Sequence, residues 1–417
     1  MKMTYIEFFE RDAAENICAC ITHTPERVIL IGDKKRLMES HAERYKSILA
    51  DQGKSVEFIC RSVTRNNLKD IIKALSEIIE TYDDCAFDLT GGDELYLVAM
   101  GIVFERYKEK NIQMHRFNIR NGTILDCDQD GRTIMEGSLP ELTVEENVRI
   151  YGGDIVYDRE SGEATYIWDM NYEFTEDIDT MWDICKADVK YWNTRLNILE
   201  AVEKVGNLYS DERSTAASVR SVTEYLEEAG KKYIDISDFL KRLQQAGLVT
   251  EFKCDGDTIA VTYKNEQIKR CLVKQGQALE MKVFKAICDA EEKDGTLTYY
   301  DVMNGVHIDW DGDIHDNAQN DTENEVDVMM MRGLVPVFVS CKNGSVSMEE
   351  LYKLSSVANK FGGKYAKKVL IATALGTNVY AESFRRRAKD MGIRLVEDIQ
   401  SMSDEELNKE VRTFWSN

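Results

Sequence analysis

The sequence predicts an α/β protein made of two α/β domains with a mixed connector between them. Three observations lead to this fold class. Apolar strands alternate with amphipathic helices over about the first 125 residues, the pattern breaks near Gly131, and it returns from Gly276 onward. A chain of 417 residues, 43% of them hydrophobic, can supply a separate core for each domain. We therefore predict domains at residues 1–130, 131–272 and 273–417.

The first domain has the order of strands and helices that is typical of a Rossmann-like parallel sheet with crossover helices. The predicted strands are residues 4–9, 27–31, 55–60, 85–89 and 112–118. The predicted helices are residues 15–21, 34–51, 66–81 and 93–107. The carboxyl ends of these strands meet at one edge of the sheet, where open α/β folds bind their ligands.

The connector is predicted to hold β-type fragments at residues 132–135, 148–151 and 164–168, then a helical region at residues 177–205. Two helices at residues 218–229 and 236–247 precede a hairpin of residues 248–252 and 258–263. Helix, helix and hairpin in this order resemble a small winged-helix unit. A plain structural spacer is the alternative interpretation.

The third domain is predicted to contain helices at residues 279–289, 348–361 and 381–391. Its predicted strands are an adjacent pair around residues 325–327 and 337–342, followed by strands at residues 368–372 and 394–396. Arg332 and Gly333 form the predicted turn between the paired strands.

Composition limits the environment and the partners. The ten cysteines form no CxxC pair and the five histidines have no ligand spacing beside them, so we expect neither structural zinc nor disulfides, and a cytoplasmic location. No apolar run of about 18 residues predicts a membrane span, so a soluble protein without a membrane partner is expected. A net charge of −22 argues against broad adhesion to nucleic acid and leaves room for a local basic groove.

A candidate phosphate site lies at the segment DLTGGDE, residues 88–94, between a buried strand and a helix. Two glycines there allow a tight turn that exposes amide groups at the positive end of the helix. Its predicted ligand residues are Thr90, Gly91, Gly92, Asp93 and Glu94. A purely structural strand-to-helix turn is the alternative, since the segment is neither GxGxxG nor GxxxxGK[ST].

Two further strand ends are predicted at the same edge of the sheet. The first supplies Phe9, Glu10, Arg11 and Asp12, and the second supplies Gly32, Asp33, Lys34 and Lys35. The cationic side chains among them suit phosphates, and the alternative is that they are merely solvated.

A candidate metal site lies in the third domain. Asp327 and Lys342 fall on the paired strands, where alternation puts Ser340 and Lys342 on one face and Cys341 on the other. Glu280, a charged residue among apolar neighbours on the preceding helix, is the predicted second carboxylate. Two carboxylates bind a hard cation such as Mg²⁺ or Mn²⁺, which activates water. Lys342 would position or deprotonate that water, or stabilise charge on phosphate. Surface residues on unrelated strands are the alternative.

Both terminal domains resemble a known family. Residues 88–94 after a buried strand resemble the CARF domain, the ring-nucleotide sensor of type III CRISPR systems. Residues 276–280, 324–327 and 338–342 resemble the PD-(D/E)xK nuclease domain that CRISPR ancillary nucleases join to CARF. The resemblance implies a restriction-endonuclease-like α/β fold for residues 273–417.

The resemblance also implies a function. Ancillary nucleases of this kind are homodimers whose paired CARF domains bind a cyclic oligoadenylate, most often cyclic tetra-adenylate. Ligand binding would start metal-dependent cleavage of DNA, RNA or both in antiviral defence. Carried onto this sequence, Glu280, Asp327 and Lys342 become the catalytic core, and Thr90 to Glu94 with the segment after the first strand become the ligand pocket.

One position departs from the nuclease pattern. Ser340 stands where an acid is expected two places before the lysine, and Val326 stands where a proline is expected. Glu325, Glu349 and Glu350 are candidates for the displaced carboxylate, and we group Glu325 with the predicted metal ligands.

Two rival functions remain open at this point. A ligand-gated transcription regulator would read DNA with the winged-helix-like segment. A dinucleotide-binding oxidoreductase is disfavoured because the full glycine fingerprint is missing.

Overall fold

The computed structural model describes residues 3–158, 163–208, 212–313, 323–376 and 378–416. Within these ranges the mixed α/β class predicted from the sequence is confirmed, with three separate sheets. No helix in the described ranges is long and apolar enough to cross a membrane.

The first sheet has seven strands in the order β3-β2-β1-β4-β5-β6-β7. Its strands are β1 (Thr4–Phe8), β2 (Arg27–Gly32), β3 (Glu57–Ser62), β4 (Cys85–Asp88), β5 (Ile112–Asn118), β6 (Thr123–Cys127) and β7 (Thr133–Ser138). Its helices are α1 (Ala13–His23), α2 (Lys35–Asp51), α3 (Leu68–Thr81) and α4 (Glu94–Arg106). The first five strands are parallel, as the alternation with helices predicts, and β6 and β7 extend the sheet as an antiparallel hairpin.

The sheet continues past the boundary predicted at residue 130, which falls in the turn between β6 and β7. The polar run around Asp128 and Gly131 was interpreted as a domain end, whereas it is a turn closed by a backbone hydrogen bond between these two residues.

Two predicted strands in the connector are wrong. Residues 148–151 belong to α5 (Val144–Ile150), which begins at a capping box of Thr143 and Glu146. Short apolar runs do not distinguish a strand from a buried helix. Residues 164–168 form neither strand nor helix.

The rest of the connector contains a small antiparallel sheet and five helices. The elements are β8 (Asp154–Ile155), α6 (Tyr172–Ala187), α7 (Val189–Val205), β9 (Asn207–Leu208), β10 (Ser214–Ser218), α8 (Val219–Glu228), α9 (Ser237–Gln245), β11 (Val249–Cys254), β12 (Thr258–Tyr263) and α10 (Glu266–Val273). The sheet order is β11-β12-β10-β9, so the predicted hairpin gains β10 as a third strand beside α8 and α9. This arrangement resembles a winged-helix unit, as predicted.

The third sheet has six strands in the order β17-β16-β15-β14-β13-β8. The remaining elements are α11 (Gln277–Cys288), β13 (Asp301–Asp309), β14 (Glu323–Arg332), β15 (Val335–Lys342), α12 (Met348–Gly362), β16 (Lys367–Ala372), α13 (Val379–Asp390), β17 (Ile393–Val396) and α14 (Asp404–Val411). β13, β14 and β15 form an antiparallel meander, and β15, β16 and β17 are parallel. β13 was not predicted from the sequence, because Asn304 and Gly305 interrupt its apolar pattern.

The first and third domains share one buried core. It includes Tyr45 and Leu49 of α2, Val148 of α5, Phe338 of β15 and Phe361 of α12. The two domains therefore pack against each other, and α5 contributes to the core that they share.

Candidate functional site

Three neighbouring elements bring the predicted catalytic side chains together. Glu280 lies in the first turn of α11, a helix whose neighbouring Leu279 and Met281 are fully buried. Asp327 lies on β14, and Lys342 lies at the end of β15. α11 is buried around most of its circumference, and the meander of β13, β14 and β15 covers it on one side.

Asp327 is held by a set of donors from β15. Its Oδ2 accepts a hydrogen bond of 3.2 Å from the Ser340 hydroxyl and one of 2.6 Å from the Cys341 amide, and lies 3.5 Å from the Lys342 Nζ. Asn304 of β13 fixes the same strand by donating from Nδ2 to the Asp327 carbonyl oxygen at 2.8 Å. Asp327 is thus fixed in place beside a cation.

A cluster of three carboxylates could hold a divalent cation. Glu280, Glu325 and Asp327 each offer an oxygen, and these oxygens lie within 4.8 Å of one another. The Oε2 of Glu280 is buried without a hydrogen-bond partner. Burial, together with the charge of Asp327, raises the pKa of Glu280 well above its usual range. Oxygen donors in this number suit Mg²⁺ or Mn²⁺, whose charge would compensate the buried acids.

Lys342 contacts a second acid outside this cluster. Its Nζ lies 3.1 Å from the Oε2 of Glu350, in the first turn of α12. Burial alone would lower the pKa of Lys342, but the charges of Asp327 and Glu350 outweigh burial and raise it. Lys342 is therefore a cation at neutral pH, which suits it to bind phosphate and makes it a poor base for water.

The three candidates for the displaced carboxylate take different positions. Glu325 lies within the acidic cluster, Glu350 pairs with Lys342, and Glu349 is exposed on the first turn of α12. Ser340 lies where that carboxylate was expected and donates its hydroxyl to Asp327.

Two residues of the site were missed by the sequence analysis. Lys274, just after α10, forms an ion pair with Glu325, and His307 of β13 places its Nε2 3.9 Å from the same carboxylate. Neither belongs to a motif, and they reach Glu325 only because α10 and β13 pack on either side of it. The alternation of apolar and polar residues from Val306 to Asp309 in β13 was the signal available in the sequence.

Two hollows open beside the acidic cluster. One, of about 70 Å³, is lined by Lys342, Glu350 and Lys353. The other, of about 490 Å³, runs from Glu325 to Arg270 along the connector. The cluster is therefore reached from solvent on both sides of β14.

The glycine turn of the first domain packs closely on the end of β1. A Cβ on Gly91 would lie 2.7 Å from the Cγ of Glu10, and one on Gly92, whose φ is 94°, would lie 2.9 Å from the Cβ of Phe8. The Gly92 amide donates to the Oε1 of Glu10 at 2.7 Å. The two loops thus form one unit at the carboxyl edge of the sheet, and only glycine fits the turn.

Three of the predicted ligand residues also form hydrogen bonds that stabilise this edge of the sheet. Asp93 caps α4 by accepting from the Leu95 amide at 3.1 Å, and Thr90 accepts from the Phe117 amide at 2.9 Å. Asp12 caps α1. The contact of these side chains with a ligand stays a prediction.

The other predicted ligand residues are spread along the edge. Glu94 and Arg11 are exposed, Phe9 packs edge-on against His41, and Asp33 lies 4.0 Å from Arg65.

The predicted ligand residues of the segment before α2 differ in exposure, and their contact with a ligand stays a prediction. Lys34 is half-buried at the start of α2, Gly32 is buried beside Met38, and Lys35 forms an exposed pair with Glu39 at 3.7 Å.

A basic hollow that the sequence analysis missed lies beside Thr90. It measures about 320 Å³, and Arg116, Arg120 and Lys364 contribute its cationic lining. Arg116 and Arg120 come from β5 and the turn after it, and Lys364 comes from the turn after α12. Lys364 could not be assigned from the sequence, since it belongs to another domain.

Comparisons with known proteins agree with this architecture. Residues 266–413 match a protein family described as Card1-like, endonuclease domain. Protein VC1899 from Vibrio cholerae is similar over 99% of this chain and 98% of its own, with a TM-score of 0.72 and 16% identity. Can2 from Sulfobacillus thermosulfidooxidans, solved in complex with cyclic tetra-adenylate, is similar over 98% of this chain and 97% of its own, with a TM-score of 0.64 and 17% identity. No curated protein sequence matches the chain at a significant level.

The fold and the site define a protein with an N-terminal Rossmann-like domain and a C-terminal α/β domain that carries the acidic cluster. Residues 266–413 match the Card1-like endonuclease family, and the predicted resemblance of the chain to the CRISPR ancillary nucleases is confirmed.

Proposed function

We propose that this protein is a metal-dependent nuclease that cyclic oligoadenylate activates in type III CRISPR antiviral defence. The observation that carries the proposal is the acidic cluster of Glu280, Glu325 and Asp327 beside the Lys342 cation, within the segment that matches the endonuclease family. The substrate is DNA, RNA or both.

The chemistry assigns separate tasks to the side chains. Glu280, Glu325 and Asp327 would hold Mg²⁺ or Mn²⁺, which supplies positive charge at the scissile phosphate and activates water. Ser340 and the Cys341 amide keep the Asp327 carboxylate oriented. Lys342, cationic at neutral pH, binds the phosphate and stabilises the charge that develops on it.

The activator would bind at the carboxyl edge of the first sheet. A cyclic oligoadenylate carries one phosphate per nucleotide, and Arg116, Arg120 and Lys364 beside Thr90 provide complementary charge. Support also comes from Can2, which shares the fold and was solved with cyclic tetra-adenylate.

A direct path joins this edge to the catalytic residues. The turn after α12 contacts α1, because Lys364 Nζ lies 2.9 Å from the Oε2 of Glu15 and the Tyr365 hydroxyl donates to Oε1 of the same residue at 2.5 Å. The other end of α12 carries Glu350, the partner of Lys342. A shift of α12 upon ligand binding would therefore move the cation of the active site.

The functional unit is a homodimer formed through α4. This helix is apolar around most of its circumference, yet Leu97 is 41% and Val98 is 50% exposed, and a Cβ on Gly101 would meet no neighbour. The exposed face begins one turn after the glycine turn, so a second copy seated there would bring two ligand pockets together.

The rival function, a transcription regulator, is less well supported. The segment from β10 to β12 resembles a winged helix, but the turn of its hairpin carries Asp255 and Asp257, and Asp238 in the first turn of α9 is exposed. These charges oppose contact with a phosphate backbone.

The test is an incubation of the purified protein with supercoiled plasmid and with single-stranded RNA, each with Mn²⁺. Cyclic oligoadenylates of different ring sizes are added or omitted. We expect cleavage of at least one substrate only when metal and a suitable ring are both present. Sequence-specific binding of duplex DNA without cleavage would instead support the transcription regulator.

A further inference from the structure

A second group of metal-type ligands lies in the first domain, on the side chains of His23, His115 and Asp126. His23 ends α1, His115 lies on β5, and Asp126 lies on the neighbouring strand β6. Their side chains are 12%, 1% and 5% exposed, so that only the His23 edge faces solvent. Nothing in the nuclease chemistry uses these residues.

The spacing of the three side chains matches that of ligands around one small ion. The Nε2 of His23 lies 3.4 Å from Asp126 Oδ2, and the Nδ1 of His115 lies 3.6 Å from Asp126 Oδ1. Ligands bound to zinc at about 2.0 Å in a tetrahedron are about 3.3 Å apart. The two histidines face different oxygens of Asp126, and one ligand atom from each of the three residues lies within 4.8 Å of the others, so side-chain rotations would bring them to coordinating distance.

Two of the three candidate ligand atoms have no hydrogen-bond partner, and the third, the Nδ1 of His115, contacts the Tyr5 hydroxyl. The Nε2 of His115 lies 3.0 Å from the Oε1 of Gln113, an acceptor, which favours the tautomer with the proton on Nε2 and the lone pair on Nδ1. Ligating histidines usually donate their other nitrogen to such an outer acceptor. The His23 Nε2 and the Asp126 Oδ1 are buried without a hydrogen-bond partner.

A candidate fourth ligand, an oxygen atom, lies close by. The Tyr5 hydroxyl lies 2.8 Å from His115 Nδ1, where it either donates to this nitrogen or turns towards an ion. Among the described residues, no ion pair joins Asp126 to a lysine or an arginine. Its carboxylate instead faces the imidazoles of His23 and His115.

We propose that His23, His115 and Asp126 form a second metal site, separate from the acidic cluster, that takes a borderline divalent ion such as Zn²⁺. Two nitrogens and one carboxylate favour zinc over magnesium, whereas the all-oxygen cluster of the nuclease domain favours magnesium or manganese. The ion would fasten the antiparallel extension of the sheet to α1.

The test uses the full chain with Glu280→Gln and Asp327→Asn, which disable the acidic cluster. Zn²⁺ is titrated in competition with a chelating dye, and Co²⁺ serves as the spectroscopic probe. We expect one zinc equivalent per chain, a visible Co²⁺ spectrum of low coordination number, and a higher melting temperature with zinc.

Adding His23→Gln should weaken zinc binding by about a hundredfold and remove the spectrum. His41→Gln, which changes another buried histidine of the same domain, is the matched control and should retain both. If His23→Gln fails to fold, Asp126→Asn gives the same comparison. Absent zinc binding, or binding that is unchanged in His23→Gln and Asp126→Asn, would overturn the proposal.

Discussion

The backbone amide of Lys364 donates a hydrogen bond of 3.0 Å to the carboxylate of Asp12, which joins the end of α12 to the start of α1. The same carboxylate accepts from the Tyr151 hydroxyl at 2.7 Å. Asp12 follows the first strand at the sensor edge, and α12 carries Glu350 to the active site at its other end. Asp12 is therefore positioned to couple ligand binding to catalysis.

Loss of one of these contacts should weaken that coupling. We expect Tyr151→Phe, which removes a single hydroxyl from Asp12, to reduce stimulation by cyclic oligoadenylate about threefold to tenfold. Ligand binding, followed by calorimetry, should persist. Tyr107→Phe is the matched control, since its hydroxyl contacts Glu80 within the first domain. Equal stimulation of all three proteins would argue against a path through Asp12.

Lys342 should matter for the chemical step more than for stability. Lys342→Met removes the cation at the phosphate and should lower kcat by about a hundredfold or more at saturating metal. Lys353→Met is the matched control, because Lys353 also pairs with Glu350 but its side chain is 64% exposed. Single-turnover cleavage of a short labelled substrate measures both. A Lys342→Met enzyme with normal kcat would exclude the assigned role.

Glu280 should destabilise the metal-free protein as pH rises. Its pKa is raised by burial, so the folded state holds the proton more tightly than the unfolded state. The resulting stabilisation is present below the unfolded pKa and is lost as pH rises through the folded one. In the presence of a chelator, the free energy of unfolding of Glu280→Gln should therefore rise relative to that of the wild type between pH 5 and pH 8, by about 1 kcal/mol or more.

Thermal unfolding at several pH values measures this difference. Addition of Mn²⁺ should reverse the order, because the ion binds the wild-type site and stabilises the native state. If the difference in unfolding free energy between the two proteins does not change with pH, the pKa of Glu280 is not raised in the folded state.

The apolar face of α4 should be required for dimerisation. Val98→Glu places a charge on that face and should convert a dimer into a monomer, and activation should be lost with it. Val379→Glu, at an 83% exposed position of the nuclease domain, is the control and should remain dimeric. Light scattering coupled to gel filtration gives the mass. A dimeric Val98→Glu protein would place the interface elsewhere.

The parts of the fold that could be predicted from the sequence are those with strong local periodicity. The five parallel strands and α3 follow directly from apolar spacing. Local pattern fails where tertiary contacts decide the structure. Asn304 and Gly305 interrupt the apolar pattern of β13, yet β13 pairs with β14 from Asp301 to Asp309.

The site shows the same division. Asp327 and Lys342 could be predicted because they occupy adjacent strands of one hairpin. Lys274, Lys364 and the His23 group could not, since each acts on residues far away in the sequence and no short spacing connects them.

The most direct test of the account compares wild type with Asp327→Asn in one experiment. Cleavage is measured with Mn²⁺ and with or without cyclic tetra-adenylate, while the ligand-induced shift in melting temperature reports binding. We predict that the wild type cleaves only with the ligand, and that Asp327→Asn shows the same shift with cleavage reduced at least a hundredfold. Undiminished, ligand-dependent cleavage by Asp327→Asn would contradict the assignment of the active site.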